Sequence, residues 1–398
     1  MTTALPTGPS PVPAVGEIPF FSQARTFAEI WATVANHIED VADRGKYSHG
    51  HKVAEFERAL AEYTGARHVV AVNSGTDALV LLLRAAGLAP GQPVVVPAFS
   101  FVASASSVVL AGGSPVFADI EPDGYGIDPA EVARVAPEGA FVMPVHLFCQ
   151  LADLDGVLDV ARRKSLTVVE DSAEAIGMRW RGVHAGLAGV GGVLSFFPAK
   201  TLGALGDAGA VLTDDPDIAE TVGALRHHGR FGRTLAHFPG IANPTALSGV
   251  NSKMDDIQAA VLLAKLARLE ADIARRAELA VAYDERLRDV PGVLRLPVPV
   301  PREAPTRPVW YVYLIEVERR DELAAHLAAC GVGTEIYYPT PLHLQPCFGY
   351  LRGVPGEFPV AEAVCRRTIA LPLYPDLSEA EVDLVCDHLR DFYTGSGS

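Results

Sequence analysis

The sequence has few cysteines, no long apolar run and a shortage of basic side chains. Its five cysteines are scattered without CxxC spacing, which argues against a disulfide framework or a zinc site and favours reduced cytosolic thiols. No uninterrupted apolar stretch of about 18 residues occurs, so we expect no membrane span. Lysine and arginine number 33 against 48 aspartates and glutamates, a formal charge of −15. We therefore expect a cytoplasmic protein with no general affinity for nucleic acid or membranes, although a local basic pocket could still hold a phosphorylated ligand.

The chain is long enough for more than one domain. Its 398 residues are 49% apolar, which allows a large buried core and suggests two or three domains. Residues 1–17 are rich in proline, threonine and alanine without the pattern of a signal peptide, and residues 395–398 read Gly-Ser-Gly-Ser. We expect both ends to be flexible tails. Between them the patterns predict a large α/β domain over 18–254, a long linking helix over 255–290 and a small α+β domain over 291–394.

The large domain shows a rhythm of short β-branched runs that alternate with helical patterns. Such alternation predicts a mostly parallel sheet covered by helices on both faces. The predicted strands are 68–72, 94–97, 115–119, 141–145, 167–170, 193–197 and 210–213. The predicted helices are 27–41, 53–63, 77–86, 101–111, 129–135 and 154–163 in this part. In the C-terminal part the patterns predict strands 309–317 and 332–337 and helices 322–330 and 379–389.

Polar and aromatic residues follow several of these strands, where sites in such sheets lie. Ser74, Gly75 and Thr76 open a helix after the first strand, which is typical of an anion site or of an ordinary helix cap. Phe101 follows the second strand, where it is either a site aromatic or part of the core. Asp171 ends a buried strand, and a buried carboxylate there needs a cation or a strong donor.

One lysine lies between two apolar strands. Lys200 follows the run 193–197 and Pro198, and the glycine-bounded turn after it leads into the run 210–213. Alone it would be read as a surface lysine, but lysine is seldom buried without a partner. An anion cradle, an aromatic, a carboxylate and a lysine on one sheet edge are the set that pyridoxal 5′-phosphate requires. We therefore predict that cofactor.

Here the sequence resembles the nucleotide-sugar (DegT/StrS-type) aminotransferases, which are fold-type I pyridoxal-phosphate enzymes. The resemblance covers most of the chain and implies a mostly parallel seven-stranded sheet in the large domain. The segments that carry it are 72–79, 97–103, 144–147, 170–173, 195–200, 202–203, 206–209 and 251–260.

The resemblance also implies roles for single residues. Lys200 matches the Schiff-base lysine and Asp171 the partner of the ring nitrogen, while Phe101 matches the aromatic that stacks on the ring. Asn251 matches a residue that reaches the phosphate from the neighbouring subunit, which implies a homodimer with shared sites. The residues that match phosphate contacts are Ser74, Gly75, Thr76 and Ser195.

Glu174 stands where Gln or His is common in the family, near the cofactor's phenolic oxygen. An ionised carboxylate there would repel a phenolate. Tyr338 and His343 match positions close to the mouth of the site, with loop or core packing as an equal explanation. Arg230 and Arg233 lie in a basic stretch that either holds a substrate diphosphate or is a solvated loop. The histidine pairs in the chain lack ligand spacing, so no metal is expected.

The resulting functional hypothesis is an aminotransferase. It would transfer an amino group from an amino acid, L-glutamate being the expected donor, to a keto group of a nucleotide-linked deoxysugar in secondary metabolism, such as antibiotic sugar biosynthesis. Lys200 would move the proton at the donor Cα, with ping-pong kinetics. Two alternatives are amination of a cyclitol or another carbonyl metabolite, and a non-catalytic sensor that keeps the fold.

Overall fold

The computed structural model describes residues 17–231 and 245–395. Within these ranges, no helix is both long and apolar enough to cross a bilayer. The helices are α1 (Ala24–Arg44), α2 (His51–Thr64), α3 (Gly75–Ala85), α4 (Val102–Leu110), α5 (Pro129–Val135), α6 (Leu154–Lys164), α7 (Pro216–Leu225), α8 (Asp256–Leu266), α9 (Leu269–Leu287), α10 (Arg320–Ala329), α11 (Pro359–Arg367) and α12 (Glu379–Thr394). The strands are β1 (His68–Val72), β2 (Pro93–Pro97), β3 (Ser114–Ala118), β4 (Phe141–Val142), β5 (Thr167–Asp171), β6 (Arg179–Trp180), β7 (Val183–His184), β8 (Gly191–Ser195), β9 (Gly209–Thr213), β10 (Val293–Arg295), β11 (Thr306–Arg307), β12 (Tyr313–Val317) and β13 (Thr368–Leu371).

A seven-stranded sheet organises the first two thirds of the chain, in the order β1-β9-β8-β5-β4-β2-β3. The pairings from β3 across to β8 are parallel, and β9 is antiparallel to both β8 and β1. The segment between β8 and β9 contains no helix that could carry the chain back across a face, so β9 returns antiparallel beside β8. The α/β class with a mostly parallel seven-stranded sheet is confirmed.

Both faces of this sheet are buried, which explains its continuous apolar strands. Helix α3 packs against β8 and β9 on one face, and α5 and α6 cover part of the other. Capping residues define several helix starts, because their side chains accept hydrogen bonds from first-turn N–H groups. These caps are Ser74 for α3, Asp128 for α5, Asp153 for α6, Asp215 for α7 and Ser378 for α12.

The C-terminal part forms an antiparallel sheet in the order β10-β12-β13, with α10 and α12 beside it. The predicted strand 309–317 is regular only over Tyr313–Val317. The predicted strand 332–337 is wrong, since Val332 and Glu335 make only isolated bridges, to Ile18 and Ala370. A side chain on Gly333 would lie 2.5 Å from the backbone N of Phe20. This segment therefore packs directly against the backbone near Phe20, but it does not form a continuous strand pairing.

The predicted long helix over 255–290 is two helices, α8 and α9, with a break at Ala267 and Arg268. The N–H of Arg268 bonds the carbonyl of Lys265, and the N–H of Asp272 then bonds the carbonyl of Arg268, so the helix ends and restarts. No proline or glycine marks the break. The Arg268 side chain is fixed there by Asp272 and Glu29, a contact that apolar periodicity does not reveal.

Candidate active site

Lys200 occupies a turn between the end of β8 and the start of β9. Its N–H donates to the carbonyl of Phe197 at 2.8 Å, which directs the side chain inward. The side chain is 15% exposed, with Nζ 3.0 Å from Oε1 of Glu174. Nζ also lies 4.3 Å from the centroid of the Tyr311 ring. Lys200 is therefore a largely buried lysine fixed by contacts with Glu174 and Tyr311, and not a solvated surface lysine.

Asp171 is the last residue of β5 and is buried. Ser104 of α4 donates to its Oδ2 at 2.7 Å, and the N–H of Ala173 donates to Oδ1 at 3.2 Å. Burial raises the pKa of the Asp171 carboxyl above its usual range, although these two hydrogen bonds and the charge of Lys200 act in the opposite direction. A cationic ring nitrogen would supply the partner that this carboxylate needs.

Glu174 lies three residues after Asp171, and its carboxylate accepts three hydrogen bonds. Besides Lys200, the N–H of Phe148 donates to Oε2 at 3.0 Å and the Tyr338 hydroxyl donates to Oε1 at 3.2 Å. Phe148 and Tyr338 both have left-handed backbones, with φ of 62° and 55°. Bulky residues seldom adopt this conformation, and active sites are one of the places where it recurs.

The first residues of α3 pack against the last residue of β8 and the first residue of β9. A side chain on Gly75 would lie 2.8 Å from Cβ of Ser195, and one on Gly209 would lie 2.5 Å from the carbonyl carbon of Ser74. Glycine at these two positions allows the close approach. The helix provides no acceptor for the N–H groups of Gly75 and Thr76, which therefore remain available to an anion beside the Ser195 hydroxyl.

Phe101 precedes α4 and is 57% exposed, so the reading as a core residue is wrong. Its ring centroid lies 6.3 Å from that of Tyr338. An exposed aromatic at this sheet edge provides a flat apolar surface for a ligand ring.

Glu170, next to Asp171 in β5, is fully buried and faces a loop instead of the site. It accepts hydrogen bonds from the N–H groups of Gly186, Ala188 and Gly189 at 2.6–3.0 Å. His146 contributes a fourth contact, from Nε2 at 3.0 Å. Burial opposes ionisation, but these donors lower the pKa of the Glu170 carboxyl. The glycine-rich stretch before β8 thus holds a carboxylate.

The segment around Asn251 runs beside the end of β1. Lys253 bridges to Val72, and the N–H of Asn73 donates to the carbonyl of Ser252 at 3.1 Å. Asn251 itself is exposed and accepts a hydrogen bond from Lys253. The structure thus brings Asn251 to the sheet end that carries Ser74, with its side chain on the surface.

Basic and imidazole side chains gather next to this segment, and we call them the basic cluster: His49, Arg226, His227, Arg230 and Lys253. The rings of His49 and His227 lie 5.1 Å apart. Burial and the neighbouring cations lower the pKa of His49 to about 3. Buried nitrogens of His49, Arg226, His227 and Arg230 have no hydrogen-bond partner among the described residues. Arg233 lies outside the described residues.

His343 is buried and lies 3.3 Å from Glu362, with its ring against Phe358. Neither Glu362 nor Phe358 belongs to the group around Lys200. The structure therefore does not support the expected position of His343 near the mouth of the site. Tyr338, by contrast, lies within the site.

Sequence reasoning missed three residues of the site: Ser104, Phe148 and Tyr311. Ser104 lies three residues after Phe101 in α4 and therefore on the same side of that helix, which is a weak signal. Phe148 and Tyr311 join the site through long-range packing, for which the sequence contains no local signal.

The side chains fit pyridoxal 5′-phosphate. The start of α3 and Ser195 suit its phosphate, Phe101 its ring and Asp171 its ring nitrogen. Lys200 supplies the primary amine that its aldehyde requires. The glycine contacts at positions 75 and 209 make the phosphate part of the site a preformed cradle.

Comparison with known proteins agrees with this assignment. Residues 29–390 match the DegT/DnrJ/EryC1/StrS aminotransferase family. The chain is 37% identical over 376 residues to dTDP-3-amino-3,4,6-trideoxy-alpha-D-glucose transaminase of Streptomyces venezuelae, covering 94% of this chain and 96% of that protein. The crystal structure of S. venezuelae DesV is similar with a TM-score of 0.88 and 37% identity, covering 96% and 99% of the two chains. NtdA of Bacillus subtilis with bound cofactor PMP is similar with a TM-score of 0.82 and 30% identity, covering 94% of this chain and 85% of that one.

Proposed function

This chain belongs to the DegT/DnrJ/EryC1/StrS aminotransferase family, and we propose that it moves an amino group from L-glutamate to a keto group of a nucleotide-linked deoxysugar. It is a pyridoxal-phosphate-dependent aminotransferase. The observation that carries the proposal is the meeting of Lys200, Asp171, Phe101 and the start of α3 at one edge of the sheet. The relatives support this proposal: a dTDP-sugar transaminase favours a sugar acceptor, and the erythromycin biosynthesis protein EryC1 of Saccharopolyspora erythraea favours a role in antibiotic sugar biosynthesis.

Each residue of the site has a separate role in the proposed amino transfer. Bound pyridoxal 5′-phosphate acts as an electron sink that makes a proton on the donor Cα acidic. Asp171 keeps the ring nitrogen positively charged, and Ser104 fixes the carboxylate that does so. Lys200 takes the proton from one carbon and returns it to another, because its amine reaches the site from a fixed turn. Phe101 covers the ring, and Ser74, Gly75, Thr76 and Ser195 bind the phosphate.

The acceptor's diphosphate needs cations in a chain that is acidic overall. The basic cluster is the concentration of positive charge beside the phosphate end of the site, and Arg230 has a buried Nε without a hydrogen-bond partner among the described residues. We assign Arg230 and Arg233 to the diphosphate.

We also propose that the active form is a homodimer. Several large apolar side chains are exposed near Lys200 and the start of α8: Tyr47, Phe197, Leu205 and Ile257. A single exposed apolar residue is ordinary, but a group of four beside the site favours a covered surface. A second copy on this surface would bury them and would allow Asn251 to complete the partner's phosphate site.

The test is a panel of nucleotide keto sugars incubated with the purified protein and L-glutamate. The expected result is a product with the mass of the amino sugar, formed by wild type and not by Lys200→Ala. A keto cyclitol serves as a competing acceptor in the same panel. Amination of the cyclitol alone, or binding of sugars without any amino transfer, would refute the proposal.

A further inference from the structure

We propose that Glu174 is the counter-ion of protonated Lys200, a positioning residue that stabilises the positive charge this lysine acquires when it takes a proton from a substrate carbon. The proposal rests on the proposed amino transfer, because only a reaction that loads a proton onto Lys200 needs such a partner. It gives the carboxylate at this position a role different from contact with the cofactor's phenolic oxygen.

The contact between the two residues is direct. Nζ of Lys200 lies 3.0 Å from Oε1 of Glu174, and both side chains are largely buried. Within residues 17–231 and 245–395, Glu174 is the one carboxylate within 4 Å of this amine. The oxygens of Asp171 are occupied differently, by Ser104 and by the N–H of Ala173.

The carboxylate keeps partners when Lys200 releases its proton. Phe148 and Tyr338 remain as donors to Oε2 and Oε1, so the Glu174 carboxylate is not left without hydrogen bonds in a buried site. Both donors belong to residues with a left-handed backbone, a conformation that is unfavourable for bulky side chains. Such strain persists only where the surrounding structure fixes it, which makes the Glu174 site preorganised.

The nearby phenols do not replace the carboxylate. Burial raises the pKa of Tyr311 and Tyr337, and it raises the pKa of Tyr338 well above its usual value. These tyrosines therefore stay protonated and neutral, as hydrogen-bond donors or as the ring beneath Nζ. The negative charge that faces Lys200 is the carboxylate of Glu174.

The experiment measures Lys200 itself. Protein loaded with pyridoxamine 5′-phosphate carries its cofactor while the lysine amine is not bonded to it. Trace acetylation with acetic anhydride near neutral pH, read by peptide mass, reports the uncharged fraction of each lysine. In Glu174→Gln we expect Lys200 to react about tenfold faster relative to the exposed Lys46, because the ammonium has lost its counter-ion. The matched control is Glu121→Gln, which removes a carboxylate paired with Arg302 elsewhere.

The buried Lys265 reports whether the variant has opened, because in a folded protein the reagent cannot reach its amine, whatever fraction of it is uncharged. An unchanged ratio of Lys200 to Lys46, with Lys265 slow, overturns the proposal. If Lys265 becomes fast, a double-mutant cycle of Glu174→Gln and Lys200→Met on unfolding of the loaded protein decides. Non-additive effects support the pair, and additive effects refute it. Faster acetylation of Lys200 in a protein that aminates no sugar would refute the proposed function alone.

Discussion

Ser104 and Asp171, 67 residues apart in the chain, form a 2.7 Å hydrogen bond that ties the first turn of α4 to the end of β5. It joins the helix that begins after Phe101, which we assign to the face of the cofactor ring, to the strand that ends in Asp171, which we assign to the ring nitrogen. One buried contact thereby holds together the two elements that carry these residues. The predictions below follow from this site and from the buried charges around it.

Lys200→Ala should abolish amino transfer and still bind the cofactor. The phosphate and ring contacts do not involve the lysine, whereas the proton transfers do. Borohydride treatment of wild type should add the cofactor's mass to the peptide that contains Lys200. The variant should show bound cofactor without that covalent mass, and normal turnover in it would contradict the assignment.

Asp171→Asn should slow the amino-acid half-reaction by more than about tenfold, near 1.4 kcal/mol of barrier. It should also raise the free energy of unfolding of the cofactor-free chain near neutral pH, because a buried charge is removed. Since burial raises the pKa of Asp171 in the folded chain, the cost of ionising it is absent at acid pH and grows as pH rises above the normal carboxyl range. Urea unfolding at acid and neutral pH checks this, and a variant that is less stable at neutral pH would contradict it.

Mixing Lys200→Ala with Asn251→Ala should restore activity if the subunits exchange. One of the two sites in each hybrid dimer combines an intact lysine with an intact asparagine, so a random mixture should reach about a quarter of wild-type activity. Each variant alone is the control. A fully active monomer by light scattering would exclude shared sites.

The double variant Arg230→Ala and Arg233→Ala should raise the KM for the sugar acceptor, more strongly at low salt, and leave the glutamate half-reaction nearly unchanged. Arg366→Ala is the matched control, an exposed arginine on α11. Equal loss in both half-reactions would indicate a cofactor or folding defect instead of a diphosphate contact.

Lys265 should make stability depend on pH. Its Nζ donates to the carbonyl of Gly203 in the Lys200 turn and to Gln23, with Asp272, Arg268, Arg276 and Asp376 as its charged surroundings. Burial lowers the pKa of Lys265 to about 8 from its usual 10.5. Between about pH 8 and about pH 10.5 the unfolded chain binds more protons at this lysine than the folded one, so the free energy of unfolding rises with pH in that range. Relative to Lys265→Met, wild type should gain roughly 1 kcal/mol in urea unfolding between about pH 7 and about pH 9. An equal pH response of both proteins would contradict this.

The sequence predicts what depends on local patterns. The patterns predict the strands of the main sheet to within two residues at each end, because β-branched runs stand between glycine and proline boundaries; the exception is 141–145, which is regular only over Phe141–Val142. Lys200 and Asp171 follow from their positions after strands. The break between α8 and α9 has no local signal, because partners distant in sequence determine it. The same holds for the ring of Tyr311 under Lys200 and for the left-handed Phe148 and Tyr338.

The N–H groups around Glu170 have a consequence for engineering the site. Neighbouring residues of a strand face opposite sides, so a slip of β5 by one position would turn Glu170 away from the glycine loop and bring Val169 or Asp171 to the place that it leaves. Such a slip is unfavourable, because the loop N–H groups would lose the Glu170 carboxylate: Val169 has none, and the Asp171 side chain is one methylene shorter. The loop over residues 186–189 therefore helps to fix the register of β5. If β5 is transferred to another scaffold to provide Asp171, residues 186–189 should be transferred with it, so that Glu170 keeps its hydrogen bonds.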